Sequence, residues 1–121
     1  MQTIDKMINA VYQAMLKDFK IFDKYLEGVH NTPTLMKQFT LWAINTGLLD
    51  SDFKVRYMAI SIIRISHCIL NENQTQTLIQ VMNEDENFFI QAVTAYVLLK
   101  NGQRHPAVMQ KVNEVIAYAE L

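Results

Sequence analysis

Residues 48–59 read Leu48-Leu49-Asp50-Ser51-Asp52-Phe53-Lys54-Val55-Arg56-Tyr57-Met58-Ala59. An apolar pair runs into a short acidic turn, and the turn runs into residues with helical spacing. Asp52 stands where a side-chain oxygen can accept from the free backbone N–H groups of a helix beginning at Phe53. The core of this stretch, Asp52-Phe53-Lys54-Val55-Arg56, is echoed by Asp18-Phe19-Lys20-Ile21-Phe22 before it and by Asn87-Phe88-Phe89-Ile90-Gln91 after it. The three starts lie 34 and 35 residues apart. A constant period in this range marks a repeat architecture. Each copy begins a helix that follows a shorter helical stripe, so the unit is a helix pair.

The stretch 48–59 resembles the turn and second-helix start of a HEAT repeat, whose pattern is an apolar pair, then Asp-x-Asp-x-x-Val-Arg, then a small residue three further on. The copy Asp85-Glu86-Asn87-Phe88-Phe89-Ile90-Gln91 is similar but has Gln91 in place of the arginine. The first copy keeps Asp18 and Ile21 and has Phe22 at that position. The resemblance covers residues 4 to 101 as a pattern and is most specific at 48–59. It implies stacked antiparallel helix pairs, an α-solenoid. In that family the aspartate and arginine of adjacent repeats can form a ladder, and only the middle copy here carries both.

Glycine and proline punctuate the chain consistently with helices. Gly28, Gly47 and Gly102 each follow a helical stripe, where a left-handed cap residue is favoured. Pro33 and Pro106 each precede one, where the missing N–H costs nothing. Thr32 is a suitable N-cap, and Asn73 with Gln76 fits a capping box. The apolar stripes have the 3-4-3-4 rhythm of helices. The first is Ile4, Met7, Ile8, Val11, Tyr12, Met15 and Leu16, and the second Leu35, Met36, Phe39, Trp42 and Ile44. The third is Val55, Met58, Ala59, Ile62, Ile63 and Ile69, and the fourth Leu78, Ile79, Val81 and Met82. Ile90, Val93, Val97 and Leu98 make the fifth, and Val108, Met109, Val112, Val115, Ile116 and Ala119 the sixth. No alternating strand pattern occurs. The expected fold is all-α: helix pairs over 3–28, 33–70 and 74–101, and a closing helix over 106–120. Nothing between Met15 and Lys20 breaks a helix, so residues 3–28 fit one long helix as well as a pair.

The chain of 121 residues suits a single domain over 1–121. Half of its residues are hydrophobic and 19% are charged, an ordinary globular balance. Eleven basic residues against twelve acidic ones give a net charge of −1. That argues against a dedicated nucleic-acid binder, whose affinity rests on neutralising phosphates. It argues equally against a membrane-surface protein. A lone cysteine, Cys68, excludes an internal disulfide and fits a reducing compartment. The N-terminus has no secretory pattern and no apolar run is long enough to span a bilayer, so a complete cytoplasmic protein is expected.

The residues for catalysis do not assemble in the sequence. Three isolated glycines cannot form a phosphate-binding loop. No Cys-x-x-Cys or His-Glu-x-x-His spacing exists, so no metal and no cofactor is expected. His30, His67 and His105 recur at intervals of 37 and 38 near helix ends. Packed helices lie about 8–10 Å apart, too far for stacked imidazoles to share one ion. Histidine at a helix C-terminus is explained by the negative end of the dipole. Cys68 and His67 are adjacent, and adjacent helical side chains do not face each other. Methionines such as Met7, Met15, Met58, Met82 and Met109 fall on apolar stripes and read as core filler. The chain is not expected to be an enzyme.

Two surfaces remain as candidates. Opposite the apolar stripe of the middle second helix lie Lys54, Tyr57, Ser61, Arg64 and Cys68. One period earlier the same face carries Lys20, Asp23 and Glu27, and one period later Phe89, Ala92, Tyr96 and Leu99. Helical repeats bind through such faces, and tyrosine and arginine are enriched at binding hot spots. Phe89, Tyr96 and Leu99 fit two roles, open to a partner or packed under the closing helix. The second surface is an acidic edge of turns: Asp18, then Asp50 and Asp52, then Glu84, Asp85 and Glu86. Arg64, His67, Lys100 and Arg104 mark the opposite edge. One cap is enough for a helix start, so three consecutive acids exceed what capping requires. Together these predict a protein-binding module, and more specifically an immunity-type inhibitor that neutralises a basic toxin domain such as a nuclease. In it Glu84, Asp85 and Glu86 meet a basic patch while Tyr57, Arg64 and Tyr96 anchor the contact. A scaffold or adaptor subunit, or a homo-oligomer stacking its own ends, is the second class. An enzyme or nucleic-acid binder of the helical-repeat kind is the third, and for nucleic acid Lys54, Arg56, Arg64, Lys100 and Arg104 would need to form one continuous face.

Overall fold

Pro33 opens the first helix with defined bounds, because its fixed φ and absent N–H suit the N1 position. Helix α1 runs Pro33–Asn45. Thr32 stands at its N-cap in an extended conformation, but its hydroxyl makes no capping bond. The computed structural model describes residues 24, 26–29 and 31–119. Most of the first helix pair expected over 3–28, with Asp18, Phe19, Lys20, Ile21, Phe22 and Asp23, lies outside the described residues, as does His30. Residues 24 and 26–29 are helical, with Leu26 and Val29 buried and Glu27 exposed. Gly28 is therefore inside a helical turn rather than capping it.

Met36, Phe39, Thr40, Ala43 and Ile44 are the buried residues of α1, at the spacing of one helical face. The Thr40 hydroxyl is satisfied inside that face by donating to the Met36 carbonyl at 2.8 Å. After Asn45 the chain tightens into a 3-10 turn, Gly47–Leu49. Gly47 is not the left-handed cap its position suggested. A Cβ there would fall 2.7 Å from Ala59 Cβ and 2.8 Å from the Trp42 ring. Its role is close approach of the backbone to the next helix.

Helix α2, Phe53–Ser66, begins at Asp52, whose carboxylate accepts from Lys54 N at 2.9 Å. It packs on α1, and the 3-10 turn packs on both. The helix stops at His67, which adopts left-handed φ 51° and ψ 29°. The Ser66 hydroxyl donates to the Ile63 carbonyl at 2.8 Å and accepts from Cys68 N at 3.3 Å, closing the end. The expected continuation to residue 70 is thus cut short, and Ile69 is 93% exposed rather than part of the third stripe.

The chain divides into two compact units, Met1–Cys68 and Ile69–Leu121. The second contains α3 (Glu72–Glu84), α4 (Phe88–Lys100) and α5 (Pro106–Ala119). Asn71, not Asn73, forms the capping box of α3. Its side chain accepts from Gln74 N at 2.8 Å, and Gln74 Oε1 accepts from Asn71 N at 3.0 Å. The helix begins at Glu72, so Asn73 already lies inside it. Gly102, at φ +80°, takes the expected left-handed position after α4. Asn101 Oδ1 accepts from Leu70 N at 3.0 Å, tying the start of the unit to the end of α4. Before α5, His105 Nδ1 accepts from Ala107 N at 3.1 Å. Leu78, Met82, Ile90, Leu98 and Val108 form the fully buried centre, and all three helices pack on one another. The described residues are helical with no strand, as the periodicity predicts.

The turns that lead into α2 and α4 share their hydrogen bonds at a spacing of 35. Asp52 N donates to Asp50 Oδ1 at 2.8 Å, and Asn87 N to Asp85 Oδ1 at 2.9 Å. Arg56 Nη1 donates to the carbonyls of Asp50 and Ser51 at 3.1 and 3.0 Å. Gln91, in the equivalent place, donates its amide to the Asp85 carbonyl. Two different side chains thus close the same turn by the same route.

Candidate functional site

The turn between α3 and α4 is built by residues that mostly serve the turn itself. Asp85 is half-buried and accepts from Asn87 N, while Asn87 Oδ1 caps α4 by accepting from Ile90 N at 3.2 Å. Gln91 Oε1 accepts from Lys111 Nζ at 3.0 Å, which joins α4 to α5. Lys111 also pairs with Glu114 at 3.0 Å. Glu84 and Glu86 are exposed. Glu84 accepts from Gln80 Nε2 at 3.1 Å. It stands in the last turn of α3, where the dipole disfavours an acid, an effect that its i,i+4 bond with Gln80 offsets in part.

Exposed aromatic surface adjoins these acids. The sequence of α4, Phe88-Phe89-Ile90-Gln91-Ala92-Val93-Thr94-Ala95-Tyr96-Val97-Leu98-Leu99-Lys100, is apolar on nearly every side. Ile90, Thr94, Ala95, Val97 and Leu98 are buried. Phe89 and Tyr96, seven residues apart on one line, are 51% and 48% exposed. Neither ring is fully packed under the closing helix, and Tyr96 and the half-covered Leu99 both stand beside α5. The Phe88 ring lies 5.3 Å from that of Tyr118, so the end of α5 returns to the start of α4. Lys111 Nζ stands 5.9 Å from the Phe88 ring centre, and Lys100 Nζ 5.8 Å from that of Tyr96. Between the helices runs an open apolar groove of about 170 Å³ with Tyr96, Leu99, Val112 and Ile116 in its walls.

In the first unit Asp50 and Asp52 act locally, one closing the turn and the other capping α2. Lys54 and Arg64 are exposed and Tyr57 is half-buried, its ring 6.1 Å from Phe53. Ser61 departs from the expected binding face, being only 4% exposed. Six consecutive residues, Met58 to Ile63, are buried, so this part of α2 is enclosed on all sides and has no open face. Cys68 is a half-buried free thiol. The expected face and the expected acidic edge are each divided between the two units. Asp50, Asp52, Lys54, Tyr57, Ser61 and Arg64 belong to the first, and Glu84, Asp85, Glu86, Phe89 and Tyr96 to the second.

Phe88, Ile116 and Tyr118 join the second unit's surface, although the sequence places Phe88 in the repeat echo and Ile116 on an apolar stripe and does not single out Tyr118. Tyr118 lies off the apolar stripe of its helix, and its partner is 30 residues away. Among the described residues no group of three or more His, Cys, Asp or Glu is arranged to hold a metal, and no helix is long and apolar enough to cross a membrane. The chain matches no protein-family model and shows no significant similarity to a curated protein or a solved structure.

Proposed function

We propose that this chain is a protein-binding module of HEAT-like helix pairs, and that it works as a cytoplasmic, non-catalytic inhibitor of the immunity type, covering a basic toxin domain such as a nuclease. The observation that carries the reading is the turn after α3, where exposed Glu84 and Glu86 adjoin half-exposed Phe89. An acid kept at an unfavourable helix end, next to a half-exposed ring, fits a surface meant for a cationic, partly apolar partner. The shared hydrogen bonds of the Asp50 and Asp85 turns support the repeat part of the reading. Arg56 is engaged with two carbonyls of its own turn, which weakens the case for a nucleic-acid face through it.

The test is affinity capture with the tagged chain from its native source, followed by mass spectrometry and binding measurements. The expected result is one stoichiometric basic enzyme domain. Its complex with E84K/E86K should form at least about tenfold more slowly and lose much of its salt dependence, as rim charges chiefly set association rate. A tight complex indifferent to that double change overturns the electrostatic reading, and capture of a large assembly overturns the inhibitor. A scaffold or self-associating role is the second reading, favoured by the open groove between α4 and α5.

A further inference from the structure

Asn101 and Gly102 form the one Asn-Gly pair in the chain. The side-chain amide carbon of an asparagine can close a small ring with the backbone nitrogen of the next residue. Glycine, with no side chain, leaves that nitrogen unshielded. Both residues are exposed, and a Cβ on Gly102 would meet nothing within 4 Å, so water reaches the pair freely. The end of α4 nevertheless holds every group that ring closure needs. Asn101 Oδ1 accepts from Leu70 N at 3.0 Å, and Asn101 Nδ2 donates to the Val97 carbonyl at 3.3 Å. Gly102 N donates to the Leu99 carbonyl at 3.0 Å, an oxygen that also accepts from Arg104 Nη1 at 3.2 Å. At φ −80° and ψ 7° Asn101 keeps a near-helical backbone, which turns Gly102 N back along the helix and away from the Asn101 side chain. Only the bond from Leu70 comes from elsewhere in the chain, 31 residues away. Leu70 lies in the non-helical segment leading into α3, beside the almost fully exposed Ile69. Exposed segments of this kind open at low cost.

We propose that Asn101 and Gly102 are a self-modification site, where spontaneous deamidation is held back by the hydrogen bond from Leu70. Once Leu70 lets go, Gly102 N can leave the Leu99 carbonyl and the Asn101 side chain can turn over it. That nitrogen gives its proton to hydroxide and attacks Asn101 Cγ. A new Cγ–N bond forms, the Cγ–Nδ2 bond breaks, and ammonia leaves with a proton taken from water. The cyclic imide then takes up one water at either carbonyl. It opens to an aspartyl residue at 101 or to the isomer whose main chain runs through the side-chain carboxyl. The sum is one water in and one ammonia out, with no oxidation or reduction. Either product harms the end of α4. The new carboxylate stands where the Val97, Leu98 and Leu99 carbonyls gather, at the negative end of the helix dipole. The donor to the Val97 carbonyl is lost as well. The isomer also lengthens the main chain and displaces the bonds from Gly102 N and Gln103 N that close the helix. The modification therefore keeps a permanent record of past opening ahead of α3. It needs no partner and stands apart from the inhibitor reading.

Incubation of the full chain at mildly alkaline pH, followed by digestion and mass spectrometry of the fragment holding residue 101, tests the proposal. In guanidinium chloride that fragment should gain the mass of an amide-to-acid exchange, with an isoaspartyl fraction. The reaction there should run at least about tenfold faster than in the native chain, because a guarded site reacts only through its open fraction. Gly102→Ala in guanidinium should slow it at least about tenfold, as the added methyl shields the nitrogen. In the native chain Leu70→Pro, which lacks the donor N–H, should speed it at least about threefold with unchanged far-UV circular dichroism. Hydrogen exchange on the unaltered chain gives a second measure that does not depend on that variant folding. In dilute guanidinium the exchange of Leu70 N–H and the deamidation rate should rise in parallel, ahead of global unfolding. Equal rates in the native and unfolded chain overturn the guard, and an unfolded chain that does not react at residue 101 overturns the site. Native deamidation that follows global unfolding alone overturns the role of Leu70.

Discussion

Gly47 shows how much one hydrogen atom in place of a methyl can decide. With Ala59 Cβ and the Trp42 ring both under 3 Å from any added Cβ, Gly47→Ala must push the 3-10 turn away from α2. Overpacking of this kind costs about 1–3 kcal/mol, so urea unfolding should show a lower midpoint with an unchanged slope. Gly102→Ala is destabilised by a different route. Nothing lies near its Cβ, but φ +80° leaves an L-residue about 1 kcal/mol worse off. Gly28→Ala is the control, having open space around it and no positive φ, and should be neutral or stabilising. The sequence marked all three glycines alike as helix followers. What separates them is the distance to residues far along the chain, which no local pattern carries.

Helices were legible as stripes, and their ends only where a residue type forces the geometry. Pro33, Asp52 and Pro106 behave as the sequence predicts because ring or carboxylate chemistry leaves few alternatives. Asn71 with Gln74 and Asn73 with Gln76 have the same spacing, so the pattern alone did not select between two boxes. Asn71→Ala should lower stability by about 1 kcal/mol while Asn73→Ala, inside the helix, leaves it within a few tenths. Thermal melts of the pair settle the register of α3. The end of α2 was hidden for a related reason, since a histidine rather than a glycine takes the left-handed turn. Ser61 was misplaced because a 3-4-3-4 rhythm describes a helix with one buried face. Met58 to Ile63 are buried all the way round. Of the candidate site, the acids at 84–86 were visible in the sequence as an excess of charge. The ring of Tyr118 beside Phe88 was not, because it depends on α5 folding back along α4.

The division at Cys68 has a measurable counterpart at the level of the whole molecule. Trp42 is the single tryptophan and belongs to the first unit, so its fluorescence reports that unit alone. Far-UV circular dichroism reports helices of both. Units that open independently should give non-coincident denaturation curves by the two probes, and Gly47→Ala should widen the gap by shifting the fluorescence curve first. Coincident curves in both proteins would show a single cooperative body.

The two turns that share their bonds across 35 residues have a consequence for how such a chain grows. Each turn is closed within seven residues, by Asp50 to Arg56 in one case and Asp85 to Gln91 in the other. Its caps and carbonyl partners travel with it. A gene segment encoding one helix pair can therefore be duplicated or deleted without stranding a backbone group at that turn.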